Sequence, residues 1–108
     1  MLKIDKYADT DLLFLFEDEG GNPIDFNGYT LRMQIRPKKS ASALYDELST
    51  ENGRLVFDGN FVKAIITADA TKEYKNTKCY FDIVATYVTG RKTRIMEGFF
   101  ELNLEVTR

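Results

Sequence analysis

Carboxylates are the only side chains in this sequence whose number and spacing leave room for chemistry. Histidine is absent, which removes Ser-His-Asp and Cys-His arrangements, histidine zinc sites and the two-histidine iron triad. The single cysteine, Cys79, cannot hold zinc or an iron–sulfur cluster, nor form an internal disulfide. With Tyr80 and Phe81 beside it, it suits a buried thiol in a chain made in a reducing cytoplasm. Asp9 with Asp11, and Glu17-Asp18-Glu19, could in principle move a proton or hold calcium. Neither spacing matches a calcium loop, and acidic residues where a strand runs into a loop are ordinarily just solvated. Gly20-Gly21 is followed by no Gly-Lys-Ser/Thr and opens no helix, so it reads as a turn rather than a phosphate cradle. Arg32, Arg36, Lys38 and Lys39 lack an aromatic stacking surface or a helical reader, so nucleic acid is not an expected partner. The inventory predicts no enzyme, no catalytic residues, no metal site and no cofactor.

A chain without catalytic groups acts through its surfaces, and the elements that present them follow from composition and periodicity. With 108 residues, roughly 65% of the unfolded surface can be buried, enough for one core and one domain spanning 1–108. Hydrophobic residues are 44% and charged residues 30%, too apolar for disorder. The 17 acidic and 15 basic residues leave a net charge of -2, so no overall field favours nucleic acid or anionic lipid. Met1-Leu-Lys-Ile-Asp-Lys6 has no apolar h-region, and the longest apolar run is the five residues Leu12 to Phe16. Neither a secretion signal nor a membrane span is expected from these segments.

Apolar residues alternate in short runs separated by Gly, Asn, Asp and Pro, an all-β pattern. Strands are expected near Leu2 to Asp5, Asp11 to Asp18, Tyr29 to Arg36, Leu44 to Ser49, Arg54 to Phe57, Phe61 to Thr67, Lys78 to Val88 and Arg91 to Val106. Eight strands in this length predict an antiparallel β-sandwich. Glu19 to Gly28 supplies the Gly, Asn and Pro that a connection needs, and Asp58-Gly59 signals a hairpin. Only Ala68 to Tyr74 looks helical, with Asp69 as N-cap and room for about two turns, a short crossover between strands.

The last two strands read as one long hairpin, and a two-residue Thr89-Gly90 turn pairing Val88 with Arg91 sets its register. One face then carries Cys79, Phe81 and Ile83 opposite Phe100, Gly98 and Met96, continuing to Leu102 and Leu104, and must be the core side. Phe81 opposite Gly98 lets a ring cover the backbone that glycine exposes. The outer face places Tyr80 against Phe99, Val84 against Ile95 and Asp82 against Glu97. Facing carboxylates repel and need a cation. If Tyr29 to Arg36 neighbours Lys78 to Val88, as strand C neighbours F in immunoglobulin-type sandwiches, Arg32 and Arg36 lie over Asp82 and Glu97. That cluster is either a structural salt-bridge ladder or part of a docked face. Tyr80, Val84, Ile95 and Phe99 make a candidate interaction face, unless a loop of the same chain covers them.

Taken in order, these motifs resemble a family of small bacteriophage and prophage tail-associated proteins of immunoglobulin-like fold, similar to the N-terminal domains of baseplate upper proteins. Glu17-Asp-Glu-Gly-Gly-Asn-Pro-Ile-Asp-Phe-Asn-Gly-Tyr-Thr-Leu-Arg-Met-Gln-Ile-Arg36 resembles that family's first strand-loop-strand, and Thr50-Glu-Asn-Gly-Arg-Leu55 its middle turn. Ala68-Asp-Ala-Thr71 is similar to its helical crossover. Phe81-Asp-Ile83, Thr93-Arg-Ile-Met-Glu-Gly98 and Val106-Thr-Arg108 are similar to its terminal hairpin and ending. The family's usual Tyr before the hairpin Asp is Phe81 here, which keeps the ring and loses a hydroxyl. The resemblance implies a virion structural protein made in the bacterial host cytoplasm. It also implies assembly with other phage structural proteins or with itself, and it supplies no catalytic residues. The competing expectation is a ligand-binding module for carbohydrate or calcium, using Tyr80, Phe99 or the Glu17 to Glu19 loop. The absence of Trp weighs against sugar.

Overall fold

In the computed structural model, which describes residues 2–74 and 78–103, the alternating runs form eight strands and one short helix. They are β1 (Leu2–Asp5), β2 (Thr10–Leu15), β3 (Tyr29–Arg36), β4 (Asp46–Ser49), β5 (Leu55–Asp58), β6 (Phe61–Ile66), α1 (Ala68–Thr71), β7 (Lys78–Tyr87) and β8 (Lys92–Asn103). The expected continuation of the last strand to Val106, the core placement of Leu104 and the ending Val106-Thr-Arg108 lie outside the described residues.

The strands make a five-stranded sheet in the order β1-β8-β7-β3-β4 and a three-stranded sheet in the order β2-β6-β5. Every pairing is antiparallel except β1 with β8. With β2, β6 and β5 standing as strands B, E and D, and β8, β7, β3 and β4 as G, F, C and C′, this is the order of an immunoglobulin-like sandwich. The expected neighbourhood of β3 and β7 is present, with Met33 opposite Ile83 and Ile35 opposite Phe81.

Alternation explains the core. Leu31, Met33 and Ile35 of β3, Cys79, Phe81 and Ile83 of β7, Phe100 and Leu102 of β8, Phe14 of β2, and Val62, Ala64 and Ile66 of β6 all point between the sheets and are buried. Antibody domains tie B to F with a disulfide. Here the same two strands meet through Phe14 and Phe81, with ring centroids 6.0 Å apart. The ring of Phe81 also lies over Gly98 as expected, since a Cβ there would meet its Cε1 and Cζ at 3.5 Å.

Two local expectations are corrected. The helix is a single turn, and its N-cap is Thr67, not Asp69. Thr67 keeps an extended backbone, and its hydroxyl accepts from the Ala70 N–H at 3.2 Å, while Asp69 falls inside the first turn. The Asp9 carboxylate accepts from the Ala68 N–H at 2.8 Å, so a long-range partner covers another free donor and fixes where the helix starts. The terminal hairpin turn is wider than Thr89-Gly90. Tyr87 donates to the Arg91 carbonyl at 2.9 Å, and Gly90 donates to the Tyr87 carbonyl at 2.8 Å with φ of 91°, a conformation that favours glycine.

Candidate interaction surfaces

The wider turn shifts the hairpin by one residue, so Thr86 faces Lys92, Ala85 faces Thr93 and Val84 faces Arg94. A bulge between Ile83 and Val84 then restores the expected pairs Ile83–Met96, Asp82–Glu97, Phe81–Gly98, Tyr80–Phe99 and Cys79–Phe100. The expected pairing of Val84 with Ile95 is therefore wrong, and Ile95 is the residue left without a partner on β7. The physical reason lies in the alternation. An uninterrupted ladder would point Arg94 into the core and Ile95 outward. The bulge turns Arg94 to the outer face, where it is exposed, and lets Ile95 pack against the core.

These shifts divide the candidate face. Tyr80 is only 3% exposed, Ile95 is drawn toward the core, Val84 is half-buried and Phe99 is 41% exposed with Lys78 Nζ 4.8 Å above its ring. Tyr80 and Phe99 meet edge to face at 5.6 Å. The four residues do not make one exposed apolar patch.

The charge cluster also differs from expectation. Arg32 pairs with Glu47 of β4 at 3.6 Å rather than with Asp82 or Glu97. Arg94 Nε lies 3.5 Å from Asp82 Oδ2, and its Nη1 lies 3.4 Å from Glu97 Oε2, so Arg94 is the cation between the facing carboxylates. Arg36 stands 3.9 Å from Asp82 and donates to Gln34 Oε1 at 2.6 Å. Lys39, from the β3–β4 connection, reaches Glu97 at 3.3 Å. Tyr80 Oη donates to Glu97 Oε2 at 2.6 Å. Burial first, and this bond to a carboxylate second, push the Tyr80 phenol up to about 12. The Tyr80 hydroxyl, with Lys39, holds the Glu97 carboxyl below its usual range. Arg36, Asp82 and Glu97 are thus brought together with Arg94, Lys39 and Tyr80, and Arg32 is not.

Exposed apolar surface lies instead on the small sheet. Leu13 is 55% exposed, Leu15 44%, Phe61 41% and Val56 37%, all on its outer face. Register places Leu15 beside Phe61, and Leu13 and Val56 on either side of Lys63. The signal was present in the Leu12 to Phe16 run. A strand with apolar residues on both faces has more to bury than its own core accepts.

Phe61 also borders a cleft of about 510 Å³ at one end of the sandwich, lined by Ile24, Phe26, Tyr29, Phe57 and Asn60 among others. Phe26 stacks on Phe57 at 5.8 Å and meets Phe16 edge-on at 5.7 Å, which fixes the long β2–β3 connection against β5. In that connection the Asp18 carboxylate accepts from the N–H groups of Gly20 and Asn22 at 2.9 and 3.0 Å. Its role is to hold a tight turn, and Gly20-Gly21 lies within that turn. Among the described residues, no three Cys, Asp or Glu side chains come together as a metal site.

No protein-family model and no curated protein sequence matches this chain. Among solved structures, murine CRIg is similar with a TM-score of 0.46 and 11% identity, over 97% of this chain and 92% of that one. The immunoglobulin-like assignment stands on strand order and register, and so remote a likeness adds nothing about function.

Proposed function

We propose that this chain is a non-catalytic structural module of a phage or prophage particle, a tail or baseplate component that works by docking onto other structural proteins. The observation that carries this reading is the outer face of the small sheet, where Leu13, Leu15, Val56 and Phe61 are exposed together. Leu13, Leu15 and Phe61 adjoin one another, with Lys63 between Leu13 and Val56, and an exposed apolar cluster of this kind on a sheet face suits contact with a partner. The ordered resemblance of the sequence motifs to tail-associated proteins supplies the setting, the bacterial cytoplasm as place of synthesis, and the class of partner. Mass spectrometry of density-purified particles from the encoding strain is the test. The chain should copurify with the tail proteins, and Leu15→Lys, which leaves the core untouched, should reduce its incorporation. A chain absent from the particles removes this reading.

One observation favours a ligand-binding module instead. The cleft beside Phe26 and Phe57 presents ring surface together with the Asn27 and Asn60 amides, the combination that a sugar ring uses. Titration with an oligosaccharide panel, read by chemical shifts at these residues, decides it.

A further inference from the structure

β2 is the end strand of the small sheet, bonded to β6 on one side and to no described residue on the other. Its free side is a row of backbone donors and acceptors, the template that an added strand completes. The strand carries no proline or lysine that would block such pairing, and Leu13 and Leu15 stand exposed beside the open edge.

Charge says what kind of strand fits. Asp9 and Asp11 are exposed at the start of β2, and Glu17, Asp18 and Glu19 are exposed just past its end. Lys63 is the basic group beside the middle of the strand, opposite Leu13. A strand laid along this edge meets negative charge at both ends and an apolar centre with a cation beside it. A second copy of β2 is the wrong occupant. Antiparallel pairing would set Asp9 and Asp11 of one chain against Glu17 to Glu19 of the other, and parallel pairing would set like against like.

We infer that the β2 edge accepts, by strand addition, an extended segment of another protein with alternating apolar residues and basic residues at both ends. This rests on the assembly reading above and names its contact. Backbone pairing to β2 gives affinity, Leu13 and Leu15 select apolar side chains on the outer face, and the two acidic ends set register and exclude self-pairing.

Two ten-residue peptides alternating valine and threonine test it, one with two lysines at each end and one with two glutamates at each end. The lysine-ended peptide should bind the full chain about tenfold more tightly or better, lose affinity as salt rises, and slow amide exchange within Thr10–Leu15. Leu13→Lys should abolish binding while far-UV circular dichroism stays unchanged. Combined Asp11→Lys and Glu19→Lys should reverse the preference between the peptides, which keeps the inference testable if Leu13→Lys fails to fold. Equal binding of both peptides, or no new protection in β2, overturns it. A dimer of the free chain with β2 already protected overturns it in favour of a second copy. Failure of the peptides with the chain still present in purified particles removes strand addition alone, whereas absence from the particles removes the assembly reading.

Discussion

Phe14 of β2 and Phe81 of β7 lie with ring centroids 6.0 Å apart and join the two sheets where an antibody domain places its disulfide. Phe81 is also 6.1 Å from Phe100 and covers Gly98, so one ring joins three strands. Phe14→Ala and Phe81→Ala are each expected to cost about 3 kcal/mol or more. The double variant should lose about 1 kcal/mol less than the sum, because the two cavities merge. Urea unfolding of the four proteins measures this, and strict additivity would show that the pair does not join the sheets.

Asp46 of β4 accepts two 2.7 Å bonds from Arg54 and one of 2.9 Å from Tyr74 Oη, all near the base of the core. Tyr74 is fully buried and stacks on Tyr45 at 5.2 Å. Asp46→Ala leaves a largely buried guanidinium and phenol without their acceptor and should destabilise by about 3 kcal/mol. Tyr74→Phe keeps the bidentate pair and the ring and should cost only about 1 kcal/mol. Thermal melts that rank the two variants the other way would count against the triad.

On the outer face of the hairpin, Arg94 and not Arg32 compensates Asp82 and Glu97. A double-mutant cycle between Arg94 and Asp82 should show coupling on the order of 1 kcal/mol, reduced by the exposure of Arg94. The cycle between Arg32 and Asp82 should show none. Coupling at Arg32 would mean that its side chain leans across the same face toward Asp82 of β7 rather than toward Glu47 of β4.

Alkaline pH should weaken the fold. Burial pushes the Cys79 thiol up to about 11, and burial with the Glu97 bond pushes the Tyr80 phenol up to about 12, against ordinary values of 9.0 and 10.0. The folded state therefore keeps protons that the unfolded chain releases. That stability is complete below about pH 9 and is lost as pH rises toward 12. Urea midpoints should fall across that range, and a thiol reagent should modify Cys79 only on denaturation. Glu97 works in the opposite sense. Its depressed carboxyl contributes stability above the ordinary carboxylate range, lost as pH falls through its lowered value. Rapid native labelling of Cys79 would contradict its burial.

Alternation by itself determined the strands, the inward set Leu31, Met33, Ile35, Cys79, Phe81 and Phe100, and the sandwich, because a two-residue period assigns each side chain to a face whatever lies beyond it. The β3–β7 neighbourhood follows instead from the strand order of immunoglobulin-type sandwiches, and the far half of the β7–β8 register agrees with the two-residue turn only because the bulge cancels the wider turn. Only the tertiary structure decided the near half. There a three-residue turn and a compensating bulge keep Arg94 out of the core, and the sequence shows that need only as a charge on the wrong parity. It also decided the partner of Arg32. A strand has two neighbours, and alternation says which face an arginine occupies but not whether it leans toward Asp82 of β7 or Glu47 of β4. The open edge of β2 belongs to the same class of fact. Residues 10–15 read as a strand in either case, and only the placement of the other strands leaves one side of it unpaired among the described residues.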